Sequence, residues 1–240
     1  MTAAPPGTHL PDTDLIVLDM AGTTVLDDGV VERAFVSALD SVEIATAPDD
    51  RLVALDFVRQ TMGQSKVRVF TELAGSDVLG RAANAAFEEA YSELLAEGLA
   101  GPVPGALETI QLLRRSGIAV ALTTGFGQWT QRGILDALDW RHAADIALSP
   151  EDVGGRGRPH PDLNLMALVK LRTSSVAAMT VVGDTSSDMK SGIAAGAGRV
   201  IGVLSGAHSE ERLLLAGATH VIPDVTHLPM LLDLRVPELS

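Results

Sequence analysis

Cysteine is absent from the 240 residues. No disulfide can form, which fits a reducing compartment and leads to the expectation of a cytoplasmic protein. Positive charge is scarce: 18 Lys and Arg stand against 31 Asp and Glu, a net charge of −13. That balance argues against nucleic acid and anionic membrane surfaces as partners. An anionic small molecule would need a local positive site made from Lys, Arg or a metal. No uninterrupted apolar run approaches the roughly 18 residues that span a bilayer. Residues 1–14 hold no Lys or Arg and no apolar stretch of the kind a signal peptide carries. Residues 1–13, with three Pro, are expected to form a disordered leader. Internal repeats are missing as well.

What is there is a hydrophobic composition of 46% in a chain long enough to bury a sizeable core. The organising stretch is Leu15-Ile16-Val17-Leu18-Asp19-Met20-Ala21-Gly22-Thr23-Thr24. Four consecutive apolar residues predict a strand buried on both faces. It ends on a carboxylate, the place where open α/β sheets keep their ligands. Asp19 reads either as a nucleophile or as an Asp that ends a strand and opens a turn.

From Val30 to about Leu99 the apolar spacing is helical. One helix is expected around 31–39 and a second from about 52, capped by Asp49 or Asp50. Met62-Gly63 breaks the second, Ser65 is placed to cap a third through 73, and a long helix covers 77–99. Gly101-Pro102-Val103-Pro104-Gly105 ends the run. After it the pattern alternates. Helices are predicted at 105–115, 128–138, 162–171, 187–195, 209–216 and 226–232. Strands are predicted at 118–124, 145–148, 177–183, 199–204 and 219–222. Alternation of this kind predicts an α/β fold, a parallel sheet wrapped by helices. The core takes 1–27 and 101–240, and 28–100 is an all-helical insert after the first strand.

Three further spots carry chemistry. Thr123-Thr124-Gly125 ends a strand, where a hydroxyl and free backbone N–H groups can hold a phosphate oxygen. Arg158, in Arg158-Pro159-His160-Pro161-Asp162, stands just before a helix expected to be capped by Asp162. It either binds phosphate or is simply solvated. Gly183-Asp184-Thr185-Ser186-Ser187-Asp188 places two carboxylates four residues apart, at a strand end and in a helix's first turn. Such oxygens suit Mg²⁺, which takes one or two carboxylates plus substrate phosphate. The alternative is a capping Asp beside a favourable first-turn carboxylate.

Taken in order, these motifs resemble the haloacid dehalogenase superfamily. The resemblance implies a Rossmann-like core with an inserted helical cap of the C1 type. It implies that Asp19 attacks phosphorus while Thr124 and Arg158 hold the phosphoryl group. It also implies Mg²⁺ on Asp19, the Ala21 carbonyl and Asp184, supported by Asp188. Ordinary phosphatases of that superfamily carry a second Asp two residues after the nucleophile, as general acid and base. Here that position is Ala21, and general acid–base catalysis is worth roughly 10²–10⁴-fold.

The string Asp19-Met20-Ala21-Gly22-Thr23-Thr24 is similar to the D-x-A-G-T-T signature of the phosphonatase branch. Met62-Gly63-Gln64-Ser65-Lys66 resembles its M-G-x-x-K cap motif. Lys66 is then implied to form a Schiff base with a carbonyl phosphonate such as phosphonoacetaldehyde, and C–P cleavage is the expected reaction. Gly22, Gly125 and Phe126 join Ala21, Met62 and Gly63 as expected substrate contacts. The pattern departs from the branch at Val69, where it has His, and at Phe126, where it has Tyr. The alternative reading is a Mg²⁺-dependent phosphomonoesterase or phosphomutase acting on a small phosphate ester. Expected partners are a small phosphonate or phosphate and, through the Ala-rich cap helices, a second copy in a homodimer.

Overall fold

A computed structural model describes residues 13–27 and 29–234. The expected leader, apart from Thr13, lies outside the described residues. Six parallel strands form one sheet: β1 (Leu15–Asp19), β2 (Ala119–Thr123), β3 (Ile146–Leu148), β4 (Met179–Gly183), β5 (Arg199–Val203) and β6 (His220–Ile222). Their spatial order is β3-β2-β1-β4-β5-β6, so β1 runs through the middle. Its side chains alternate between two cores. Ile16 and Leu18 enter one apolar cluster, Leu15 and Val17 the other. Burial on both faces is why this strand reads as an unbroken apolar run.

The register sets Asp19 opposite Thr123 on β2 and Leu18 opposite Val182 on β4. Asp19, Thr123 and the Gly183-Asp184 turn therefore share the carboxyl edge of the sheet. Around it run α5 (Ala106–Arg115), α6 (Gln128–Ala137), α7 (Asp162–Leu171), α8 (Ser186–Ala195), α9 (Glu210–Leu215) and α10 (Leu228–Leu231).

Between β1 and α5 lies the helical cap: α1 (Val30–Ser41), α2 (Pro48–Gln60), α3 (Lys66–Ala74) and α4 (Asp77–Ala96). Helix α1 buries Val30, Val31, Ala34, Phe35, Ala38 and Leu39, one apolar stripe. The scarce aromatics, 3% of the chain, gather here. Phe35, Phe70, Phe87 and Tyr91 from the cap meet Phe126 from the core, with neighbouring ring centroids 4.6–6.0 Å apart. Such pairs contribute about 0.5–1.5 kcal/mol each beyond their area. The two chain crossings into the cap run side by side. Leu26 N–H donates to the Gly101 carbonyl at 2.8 Å, and Val103 N–H donates to the Thr24 carbonyl at 3.0 Å.

Two expected caps are corrected. Helix α2 begins at Pro48, a residue preset for a first turn, so Asp49 and Asp50 stand inside that turn and Ala47 precedes it. Helix α7 begins at Asp162 itself after Pro161, and Asp162 instead pairs with Arg156 at 3.5 Å. Ser65 does precede α3, but its side chain caps nothing.

Candidate active site

Asp19 is 5% exposed at the end of β1. Arg158, 3% exposed, is its cation. The guanidinium donates to Asp19 at 2.5 Å and to the Thr123 hydroxyl at 2.9 Å, and it lies 2.8 Å from Asp188. The solvated reading of Arg158 is thus excluded. Thr123, beside Asp19 in the sheet, takes the bond, while the Thr124 hydroxyl accepts from Phe126 N–H at 3.1 Å. That division of labour between adjacent threonines is set by the β pleat, which points successive side chains to opposite faces.

Thr185 opens α8 with a capping box shared with Asp188. This box fixes the Asp188 carboxylate in the first turn. Asp184 is held by Ala207 N–H at 2.7 Å and by the Thr23 hydroxyl at 3.3 Å, and Gly22 lies directly against it. One carboxylate oxygen each from Asp19, Asp184 and Asp188 falls within 4.8 Å of the others. Three buried carboxylates face a single guanidinium. Burial pushes the Asp19 carboxyl up to about 7, against the pull of Arg158 and with the push of Asp188. Burial also raises Asp184, and the charges of Asp19 and Asp188 add to it. Hard oxygen donors with an uncompensated negative charge fit a divalent cation.

The cap closes the site from above. The segment 61–66, between α2 and α3, descends onto the core until Lys66 N–H donates to the Gly125 carbonyl at 3.2 Å. At Gly63, with φ +83°, an added Cβ would stand 2.5 Å from the Thr185 hydroxyl; at Gly125 it would stand 2.4 Å from the Gln64 carbonyl oxygen. Two core side chains grip the end of α2. The His208 ring accepts Ser186 N–H at Nδ1, 2.8 Å, which leaves Nε2 to donate to the Arg59 carbonyl at 3.3 Å. Arg212 donates to the Gln60 carbonyl at 3.3 Å.

Lys66, at the start of α3, is 5% exposed. Its Nζ lies 5.2 Å from the Phe126 ring centre and 5.4 Å from that of Phe35. Burial pushes its pKa down to about 8, while the charges of Asp27 and Asp19 oppose the shift. A cavity of about 20 Å³ remains between cap and core, room for about one water. Of the expected residues, Asp19, Ala21, Lys66, Thr124 and Asp184 line it, as do Met62, Gly63, Gly125 and Phe126. Arg158, Asp188 and Gly22 are not among the lining residues: Arg158 bonds Asp19, Gly22 lies against Asp184, and Asp188 pairs with Arg158. Val69 packs among the buried apolar residues. Asp27 also lines the cavity, and no spacing in the sequence distinguished it.

A family model for haloacid dehalogenase-like hydrolase matches residues 13–196. The chain belongs to that family. Within it the chain is phosphonatase-like. It is 31% identical over 201 residues to the phosphonoacetaldehyde hydrolase of Bacillus cereus (strain B4264), covering 76% of this chain and 73% of that one. It is 29% identical over 194 residues to the bifunctional phosphonoacetaldehyde hydrolase/aminoethylphosphonate transaminase of Clostridioides difficile (strain 630), covering 75% of this chain. The chain spans only 30% of the length of that relative. Among solved structures, a hydrolase from Pseudomonas syringae superposes with a TM-score of 0.80 at 26% identity, over 92% of this chain and 98% of that one. Among the described residues no helix is long and apolar enough to cross a membrane.

Proposed function

We propose that the chain hydrolyses the C–P bond of a small carbonyl phosphonate, through a Schiff base on Lys66 and an aspartyl-phosphate on Asp19. The observation that carries this reading is the burial of a depressed-pKa amine in the same small cavity as Asp19, opposite an alanine where a phosphatase keeps its acid. An alkoxide needs a proton as it leaves; a carbanion needs an electron sink, and an iminium is one.

Lys66, neutral, adds to the substrate carbonyl and closes to an iminium with loss of water. Asp19 attacks phosphorus; the Asp19 O–P bond forms as the C–P bond breaks, and the released pair enters the iminium to give an enamine. Arg158, Thr124 and the backbone of Gly125 hold the phosphoryl oxygens. Protonation of the enamine carbon and addition of water return the carbonyl product and the free amine. Water then releases phosphate from Asp19. Mg²⁺, held by Asp19, Asp184 and the Ala21 carbonyl with Asp188 in support, would neutralise phosphoryl charge at that edge. The cavity is far smaller than the substrate, so the cap has to open for entry. We assign the cap to 28–100 and the core to 1–27 and 101–240; the paired crossings at Leu26 and Gly101 support that division.

Borohydride added with phosphonoacetaldehyde should inactivate the enzyme and leave a reduced adduct on Lys66, read by mass spectrometry. Lys66→Arg keeps the charge but forms no iminium, so it should lose nearly all C–P cleavage. Absence of an adduct, together with normal turnover in Lys66→Arg, would sink the reading. A phosphatase for esters would be left.

A further inference from the structure

We propose that Asp27 carries the proton that Lys66 must lose and the departing carbonyl oxygen must gain. This rests on the Schiff-base reading above. Asp27 lines the same enclosed cavity as Lys66 and Asp19. Its Oδ1 accepts from Val31 N–H at 3.0 Å, so the first turn of α1 orients the carboxyl. The positions where this chain replaces an ionisable residue of the branch or of ordinary phosphatases are closed to proton transfer. Ala21 and Phe126 line the cavity but carry no ionisable group, and Val69 is buried away from it. Asp19 is committed to phosphorus, and Asp184 belongs to the carboxylate cluster. Among the described residues no His lines the cavity. Of the charges acting on Lys66, that of Asp27 is the largest, ahead of Asp19.

The chemistry needs two protons moved from Nζ to the carbonyl oxygen, one of them through Asp27. The resting pair is an ammonium and a carboxylate. Asp27 takes a proton from Nζ, and the neutral amine adds to the carbonyl carbon. The C–N bond forms as the C=O π pair moves to oxygen, which receives a second proton from Nζ. The resulting hydroxyl then takes the proton held on Asp27 and leaves as water while the nitrogen pair closes C=N. One ammonium and one carbonyl give one iminium and one water, and the Asp27 carboxylate is regenerated. The reverse sequence hydrolyses the product iminium.

The test is the rate at which phosphonoacetaldehyde and borohydride label Lys66 in the wild type, Asp27→Asn and Asp27→Ala. Asn keeps an acceptor for Val31 N–H, so α1 keeps its start. Labelling in Asp27→Asn should fall by about 10²–10⁴-fold, the range for a lost general acid–base. Formate, a small carboxylate, should restore part of the rate in Asp27→Ala. Labelling at the wild-type rate in both variants overturns the proposal and leaves the Lys66 chemistry standing. So does a slow Asp27→Ala that formate leaves slow, because a purely structural Asp27 would behave that way. No labelling in the wild type removes both readings.

Discussion

In the Schiff-base reaction proposed above, Lys66 faces a conflict: an amine in water is held as a cation, yet it must react as a free amine. Burial resolves the conflict by bringing its pKa down to about 8. The sign of the pH dependence follows. Below its pKa the amine holds a proton and, in Asp27→Asn with no carboxylate to take it, cannot attack, so C–P cleavage by that variant should climb about tenfold per pH unit and level off by about 8. Steady-state rates on phosphonoacetaldehyde across that range check this; a flat profile would show that the amine is not the titrating group. Asp19, Lys66 and Asp184 were legible in the sequence because each stands inside a short local string. Asp27 was not, because its relation to Lys66 exists only once α1 and α3 are packed. Thr123 stood in the Thr123-Thr124-Gly125 string, but that it rather than Thr124 takes the Arg158 bond follows from sheet register.

At the scale of elements, the junction of cap and core depends on backbone approaching side chain without a Cβ between them. Gly63→Ala would need φ +83° from a residue with a side chain and would drive that side chain into Thr185. The left-handed backbone alone costs about 1 kcal/mol or more. Segment 61–66 should lift, carrying Lys66 away from Asp19. Turnover should fall at least about tenfold, the equivalent of about 1.4 kcal/mol, whereas the Mg²⁺ binding proposed for Asp19, Asp184 and Asp188, all core residues, should persist. Equal loss of both would mean that the substitution unfolds the core instead. The strand and helix order was readable because apolar runs and helical spacings alternate without ambiguity after Gly105. The starts of α2 and α7 were misread because Asp near Pro can sit before the first turn or inside it. The His208 and Arg212 grip on α2 was invisible, since both partners are main-chain carbonyls, which no residue type announces.

For the whole molecule the net charge is −13, and in one buried place three carboxylates gather around Arg158. A divalent cation that binds there only in the folded state raises stability by RT ln(1 + [L]/Kd), about 2.7 kcal/mol at a hundredfold excess over Kd. Thermal unfolding should therefore shift upward with Mg²⁺ and return with EDTA, and Asp184→Ala should abolish the shift. An unchanged shift in Asp184→Ala would place the ion elsewhere. The paired crossings at Leu26–Gly101 and Thr24–Val103 have a consequence for how such a chain can vary. Because the cap leaves the core where it entered, the core meets it as a loop already closed at its neck. Closing a flexible loop costs only about 0.6 kcal/mol more for each doubling of its length. The closure cost at that neck is thus nearly independent of the cap's length, and the cap can be lengthened or shortened, provided segment 61–66 still meets Thr185 and Gly125, while the carboxylate-bearing edge of the sheet stays as it is.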